Sequence, residues 1–141
     1  MCIETDTIHG DAEAVAEQIE KIHGEEAPLY YNNEQALRSV IKRAYFSYAD
    51  EYMKFEELPA GTGYADIVYL PRKNSPLPAL VIELKWNKSA QGAIEQIKDR
   101  RYPDAIRGYG GEILLVGVNY DKDAPVGRRK HTCVIERYQE I

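Results

Sequence analysis

The sequence predicts a single α/β domain built on a mixed sheet with helices packed against it. Three observations carry that prediction. Hydrophobic periodicity changes along the chain in the order helix, helix, three strands, helix, strand, strand. The stretch 79–118 reads as strand, helix, strand, long enough for a right-handed parallel crossover. The strands before it, 52–58 and 64–70, are joined by a Pro59-Ala60-Gly61-Thr62-Gly63 turn tight enough to make them antiparallel. A chain of 141 residues with 44% hydrophobic residues can bury one real core, and a second domain would be starved.

Taken in order, Ala12, Val15, Ala16, Ile19 and Ile22 recur at helical spacing between Asp11, a possible N-cap, and Gly24, a helix stop. Residues 25–29, with Pro28, form a linker, so residues 1–29 are expected to be an N-terminal helix and linker, and residues 30–141 the main domain. Asn32 or Asn33 can cap a second helix whose apolar stripe is Leu37, Val40, Ile41, Ala44, Tyr45 and Tyr48, ending near Asp50. The hairpin follows, then a connection from Pro71 to Pro78 and a strand from Ala79 to Trp86. The centre of that strand, Leu80-Val81-Ile82, is continuously apolar, as a strand covered on both faces requires. Ser89 can cap a helix to about Arg101 that turns Ala90, Ala93, Ile94 and Ile97 inward. Strands at 112–118 and 132–138 complete the order.

No apolar run is long enough to span a bilayer, and Glu4 and Asp6 stand where a signal peptide would be basic, so no membrane association and a cytoplasmic location are expected. Cys2 and Cys133 lie at opposite ends without a CxxC, which suggests reduced thiols rather than a disulfide or a zinc site. The net charge of −5 argues against indiscriminate binding to nucleic acid. That average hides an asymmetry: residues 1–60 hold 13 acidic and 5 basic side chains, whereas residues 61–141 hold 10 acidic and 13 basic.

The candidate chemistry lies in the basic part. Side chains alternate along a strand, so Glu83 and Lys85 share one face while Ile82, Leu84 and Trp86 share the other. A carboxylate and an ammonium at the end of a buried strand need partners. Asp66 sits in the preceding strand, where antiparallel pairing brings its carboxylate toward Glu83. Two carboxylates held together call for a proton or a cation between them, and a hard divalent ion with oxygen ligands, Mg²⁺ or Mn²⁺, suits the pair. A plain Glu83–Lys85 salt bridge at a strand end is the competing reading.

Asp66 followed by Glu83-Leu84-Lys85, within helix-strand-strand-strand-helix-strand, resembles the PD-(D/E)XK nuclease superfamily. The stretch Glu57-Leu58-Pro59-Ala60-Gly61-Thr62-Gly63-Tyr64-Ala65-Asp66, Gln96 with Tyr102 six residues on, and Asn33-Glu34 resemble the branch found as a C-terminal domain behind an AAA-type ATPase. The resemblance spans roughly residues 30–138, and Ala65 stands where the family name places a proline. It implies a restriction-endonuclease-like fold and hydrolysis of DNA or RNA phosphodiesters. Asp66, Glu83 and the backbone carbonyl of Leu84 would hold Mg²⁺ or Mn²⁺. Lys85 would position or deprotonate the attacking water, Gln96 would steer the site, and Glu34 would complete the acidic cluster. An ATPase domain or partner is implied, and cutting both strands of a duplex would favour a homodimer. The alternative is a non-catalytic nucleic-acid or protein-interaction module that keeps the fold as an accessory to an ATPase.

Other residues have two readings each. Glu34 can serve the helix dipole, yet it precedes Leu37 and Ile41 on the apolar face. Gln96 shares a stripe with Gly92 and Arg100 that can face a ligand or solvent. Tyr102 suits a packed ring. The basic runs Lys98–Arg101 and Arg128–His131, the latter holding His131, can bind phosphates or be solvated surface. Tyr30, Tyr31, Tyr45, Tyr48 and Tyr52 suit core packing better than a base-stacking platform.

Overall fold

In the computed structural model the described residues are 3–24, 34–45, 51–60, 63–99, 112–125 and 127–138. Their elements run α1 (Ile3–Ile8), α2 (Ala12–Gly24), α3 (Glu34–Ala44), β1 (Tyr52–Ala60), β2 (Gly63–Pro71), β3 (Ala79–Trp86), α4 (Ala90–Asp99), β4 (Ile113–Tyr120) and β5 (His131–Arg137). The five strands form one sheet in the order β1-β2-β3-β4-β5. β1 pairs with β2, β2 with β3 and β4 with β5 antiparallel, while β3 and β4 are parallel. This is the mixed sheet expected from the sequence, with the crossover through α4, and it fits a restriction-endonuclease-like fold.

Alternation along the strands decides which helices cover which face. Ile67, Tyr69, Leu80, Ile82, Leu84, Leu114, Val116 and Val118 form one apolar layer with Ile3 of α1, Val15 and Ile19 of α2, and Leu37, Val40 and Ile41 of α3. The alternate residues Val68, Leu70, Ala79, Val81, Ile113 and Leu115 pack on Ile94 and Ile97 of α4. Both faces of β3 and β4 are thereby dry, which explains why their sequences are apolar almost throughout.

The caps act as expected. Asp11 Oδ1 accepts the Ala14 N–H at 3.2 Å, and Ser89 Oγ accepts the Gly92 N–H at 2.9 Å. Asn32 and Asn33 lie outside the described residues.

Two helix expectations change. α1 was not foreseen: six residues are too few for a periodicity, and a tertiary contact, Thr7 Oγ1 to the Tyr45 hydroxyl at 2.7 Å, ties it to the body. The second predicted helix, expected to reach Asp50, ends at Ala44, and Tyr45 already lies in a turn. Tyr45 is not part of a continuing helical stripe. Its ring turns into the core and stacks on Tyr69 at 5.7 Å between centroids. Residues 46–50, Tyr48 among them, are outside the described residues. Among the described residues no helix is long and apolar enough to cross a membrane.

Candidate active site

Asp66, Glu83 and Lys85 meet at one end of the sheet. The β2–β3 ladder runs from Tyr69↔Leu80 to Ile67↔Ile82. One residue beyond it, Asp66 accepts the Leu84 N–H on its side-chain Oδ2 at 2.9 Å. A side chain thus does what a ladder carbonyl does elsewhere, and it fixes the carboxylate at the exit of β3. Glu83 and Lys85 alternate with the buried Ile82 and Leu84, which places both under α4 on the face of Val81.

The chain leaves β3 through a stitched turn. Asn87, at φ 57°, donates its N–H to the Tyr120 carbonyl at 2.7 Å, and the buried Asn119 side chain accepts the Lys88 N–H at 2.9 Å. α4 therefore starts at a fixed point directly after the two charged residues. Its approach to β4 depends on Gly117, the register partner of Glu83. A Cβ on Gly117 would lie 2.4 Å from the Ala90 carbonyl oxygen and 3.1 Å from the Ala93 Cβ.

That close seat brings Gln96 into the cluster. Its Nε2 donates to Glu83 Oε1 at 2.7 Å, and its Oε1 accepts a hydrogen bond from the Lys85 ammonium. One amide thus bridges the acid and the base and holds both in position. Glu83 is only 3% exposed, and its second oxygen, Oε2, is buried with no hydrogen-bond partner among the described residues. Burial and then the negative charge of Asp66 push its carboxyl up to about 9, against the opposing pull of Lys85. Without a cation, Glu83 is held as a neutral acid at pH 7.

Arg38 of α3, which the sequence reading did not single out, donates to Asp66 Oδ1 at 3.0 Å. Its one available signal was its place four residues after Glu34, on the same side of a helix. Glu34 opens α3, but its side chain lies outside the described residues, as does Tyr102.

Three members of the basic runs have partners within the chain. Lys98 pairs with Glu136, and Arg129 pairs with Glu13 at 3.1 Å. His131 is not solvated surface: it is buried, and its Nδ1 lies 2.6 Å from Glu20 Oε2. Tyr45 and Tyr52 belong to the core as expected, and Tyr30, Tyr31, Tyr48, Arg100 and Arg101 lie outside the described residues.

Among the described residues no group of three or more His, Cys, Asp or Glu side chains is gathered for a metal ion. The donors that fit a hard cation are the Asp66 carboxylate and the unpartnered, buried Glu83 Oε2. No curated protein matches the chain. A family model of the PD-(D/E)XK nuclease superfamily matches residues 32–127, a span that holds Asp66, Glu83, Lys85 and Gln96, and the chain belongs to that superfamily.

Proposed function

We propose that the domain is a metal-dependent nuclease that hydrolyses DNA or RNA phosphodiester bonds. The observation that carries this reading is the buried Oε2 of Glu83, without a hydrogen-bond donor among the described residues, beside Asp66 and the Gln96-held Lys85. Buried polar atoms are almost always bonded, and an orphan on an acid next to a second acid suits a cation ligand. Asp66, Glu83 and the carbonyl of Leu84 would hold Mg²⁺ or Mn²⁺. Such an ion, when bound, supplies an acidified water and a sink for charge on the phosphoryl oxygens.

The chain's own groups do the rest. Lys85 offers its ammonium to the attacking water or to the phosphate, and Gln96 aims it by accepting one of its hydrogen bonds. Gln96 at the same time keeps Glu83 Oε1 occupied, so that Oε2 is the oxygen left to the cation. Glu34, at the start of α3, would extend the acidic cluster. The AAA-type ATPase association belongs to this proposal as a domain or partner that delivers the nucleic acid, and a homodimer would serve double-strand cutting.

The test is cleavage of single- and double-stranded DNA and RNA in Mn²⁺ or Mg²⁺, with metal binding followed by calorimetry. Glu83→Ala and Lys85→Ala should each lower the cleavage rate by about 100-fold or more. Metal binding without cleavage on any substrate would favour the accessory-module reading. Neither binding nor cleavage by the wild type would end the enzyme reading.

A further inference from the structure

The contacts of Asp66 are not symmetrical with those of Glu83. Both Asp66 oxygens are engaged, Oδ1 by the Arg38 guanidinium at 3.0 Å and Oδ2 by the Leu84 N–H at 2.9 Å. The ion pair is largely withdrawn from solvent, with side chains 17% and 20% exposed, so it is not one of the loose surface pairs that salt dissolves. Glu83 Oε2 has no hydrogen-bond donor among the described residues. Of the two acids proposed as ligands, Glu83 leans on its neighbours Gln96 and Asp66, and Asp66 holds the cationic side chain of Arg38.

We propose that Arg38 is the resident counter-ion of Asp66 and that a divalent cation loads only by displacing its guanidinium. The inference rests on the proposed metal site at Asp66 and Glu83. Two positive centres at one carboxylate oxygen repel strongly in a site with little water, so metal and guanidinium compete for Oδ1. The Leu84 N–H bond to Oδ2 can persist throughout, which keeps Asp66 in place while Arg38 moves. Arg38 enters from α3, in the layer opposite α4, so its departure leaves the Gln96 bridge untouched. One turn further along α3, Lys42 pairs with Glu56 at 3.3 Å and provides a cation of the same helix that is engaged elsewhere.

Competition makes a counter-intuitive demand: removing a positive residue must strengthen binding of a positive ion at the first acid. Mn²⁺ is titrated by calorimetry into metal-free wild type, Arg38→Met, Arg38→Lys and Lys42→Met, each checked for a native fold by circular dichroism. Arg38→Met should tighten Mn²⁺ binding by about tenfold or more, the scale of a charged hydrogen bond. Arg38→Lys should tighten it less, because a lysine keeps the positive charge near Asp66. Lys42→Met should leave it unchanged, and an equal gain there would overturn the inference by reducing it to net charge. Unchanged or weaker binding in Arg38→Met means that the arginine is a brace between α3 and the sheet; the competition idea then fails while the metal site stands. If Arg38→Met does not fold, unchanged binding in Arg38→Lys overturns the inference in the same way. If the wild type and every variant ignore Mn²⁺, the metal site and the inference fall together.

Discussion

Glu83 is a residue kept against the interest of stability. Its carboxyl, pushed up to about 9 by burial and by Asp66, stays protonated in the metal-free fold while the unfolded chain ionises it above its ordinary 4.5. A raised folded-state pKa contributes stability that is complete below 4.5 and lost progressively as pH rises toward 9, so the wild type pays a growing penalty across that window. Gln cannot ionise and has nearly the same shape. Glu83→Gln is therefore expected to raise the metal-free unfolding free energy at pH 8 by on the order of 1 kcal/mol or more, with little gain at pH 5, while abolishing Mn²⁺ binding. Urea unfolding in chelator at the two pH values checks this, and an equal difference at both would show that ionisation of Glu83 is not the cause. The sequence made Asp66, Glu83 and Lys85 legible because strand alternation and the order of the strands are enough to juxtapose them. Arg38 was not legible, since an ion pair across 28 residues depends on where a helix in another layer lands.

Elements are located by a few close contacts that a periodicity cannot express. The strand and helix order was readable throughout the described residues except for α1, but the seat of α4 on Gly117 was not, because a glycine in an apolar strand announces nothing about its neighbour. A methyl at Gly117 would meet the Ala90 carbonyl at the start of α4 and must push that helix off the sheet. Gly117→Ala is expected to cost about 1–3 kcal/mol in chemical denaturation. It should also weaken Mn²⁺ binding, since Gln96 moves with its helix, and full retention of both would show that α4 has slack. A second contact holds α2 to β5. Glu20 accepts the backbone N–H groups of Lys130 and His131, and its Oε2 meets the buried His131 ring. Burial lowers the pKa of His131 despite the raising effect of Glu20. For Glu20, burial pushes upward, but the hydrogen bonds from His131 and the Lys130 backbone outweigh it and leave the carboxyl below its ordinary value. Both groups thus bind fewer protons folded than unfolded. Stability from this pair is present at neutral pH, begins to fall as pH drops below 6.5, and falls further below 4.5. Glu20→Gln should flatten the limb below 4.5, where its own carboxyl titrates, while the fall that starts at 6.5 persists because His131 loses the partner that raised its pKa; an unchanged limb below 4.5 would assign that acid sensitivity to other groups.

On the scale of the whole molecule, the sheet can hold the candidate site at its end only if both faces stay dry. The family match begins at residue 32, and the sequence alone suggested that residues 1–29 are an N-terminal helix and linker ahead of the main domain. The packing argues for more. Ile3, Val15 and Ile19 are buried in the same layer as Leu37, Ile41, Ile82, Leu84 and Val116, and α2 also grips the start of β5 through Glu20 and the turn before it through the Arg129 pair with Glu13. Burying each of these large aliphatic side chains contributes roughly 1.5–3 kcal/mol, so their combined loss takes a large share of the 5–15 kcal/mol that typically holds a domain together. Uncovering the sheet would also expose a contiguous apolar face that favours aggregation. A chain starting at residue 30 is thus expected to lose cooperative unfolding or to precipitate, although it retains every proposed site residue. Adding residues 1–29 back as a separate peptide should restore part of the transition, because the contacts are side-chain packing and hydrogen bonds rather than chain continuity. A residue-30 start that melts cooperatively within a few degrees of the full chain would show instead that α1 and α2 are passengers, and that the sheet is kept dry by α3 and α4 alone.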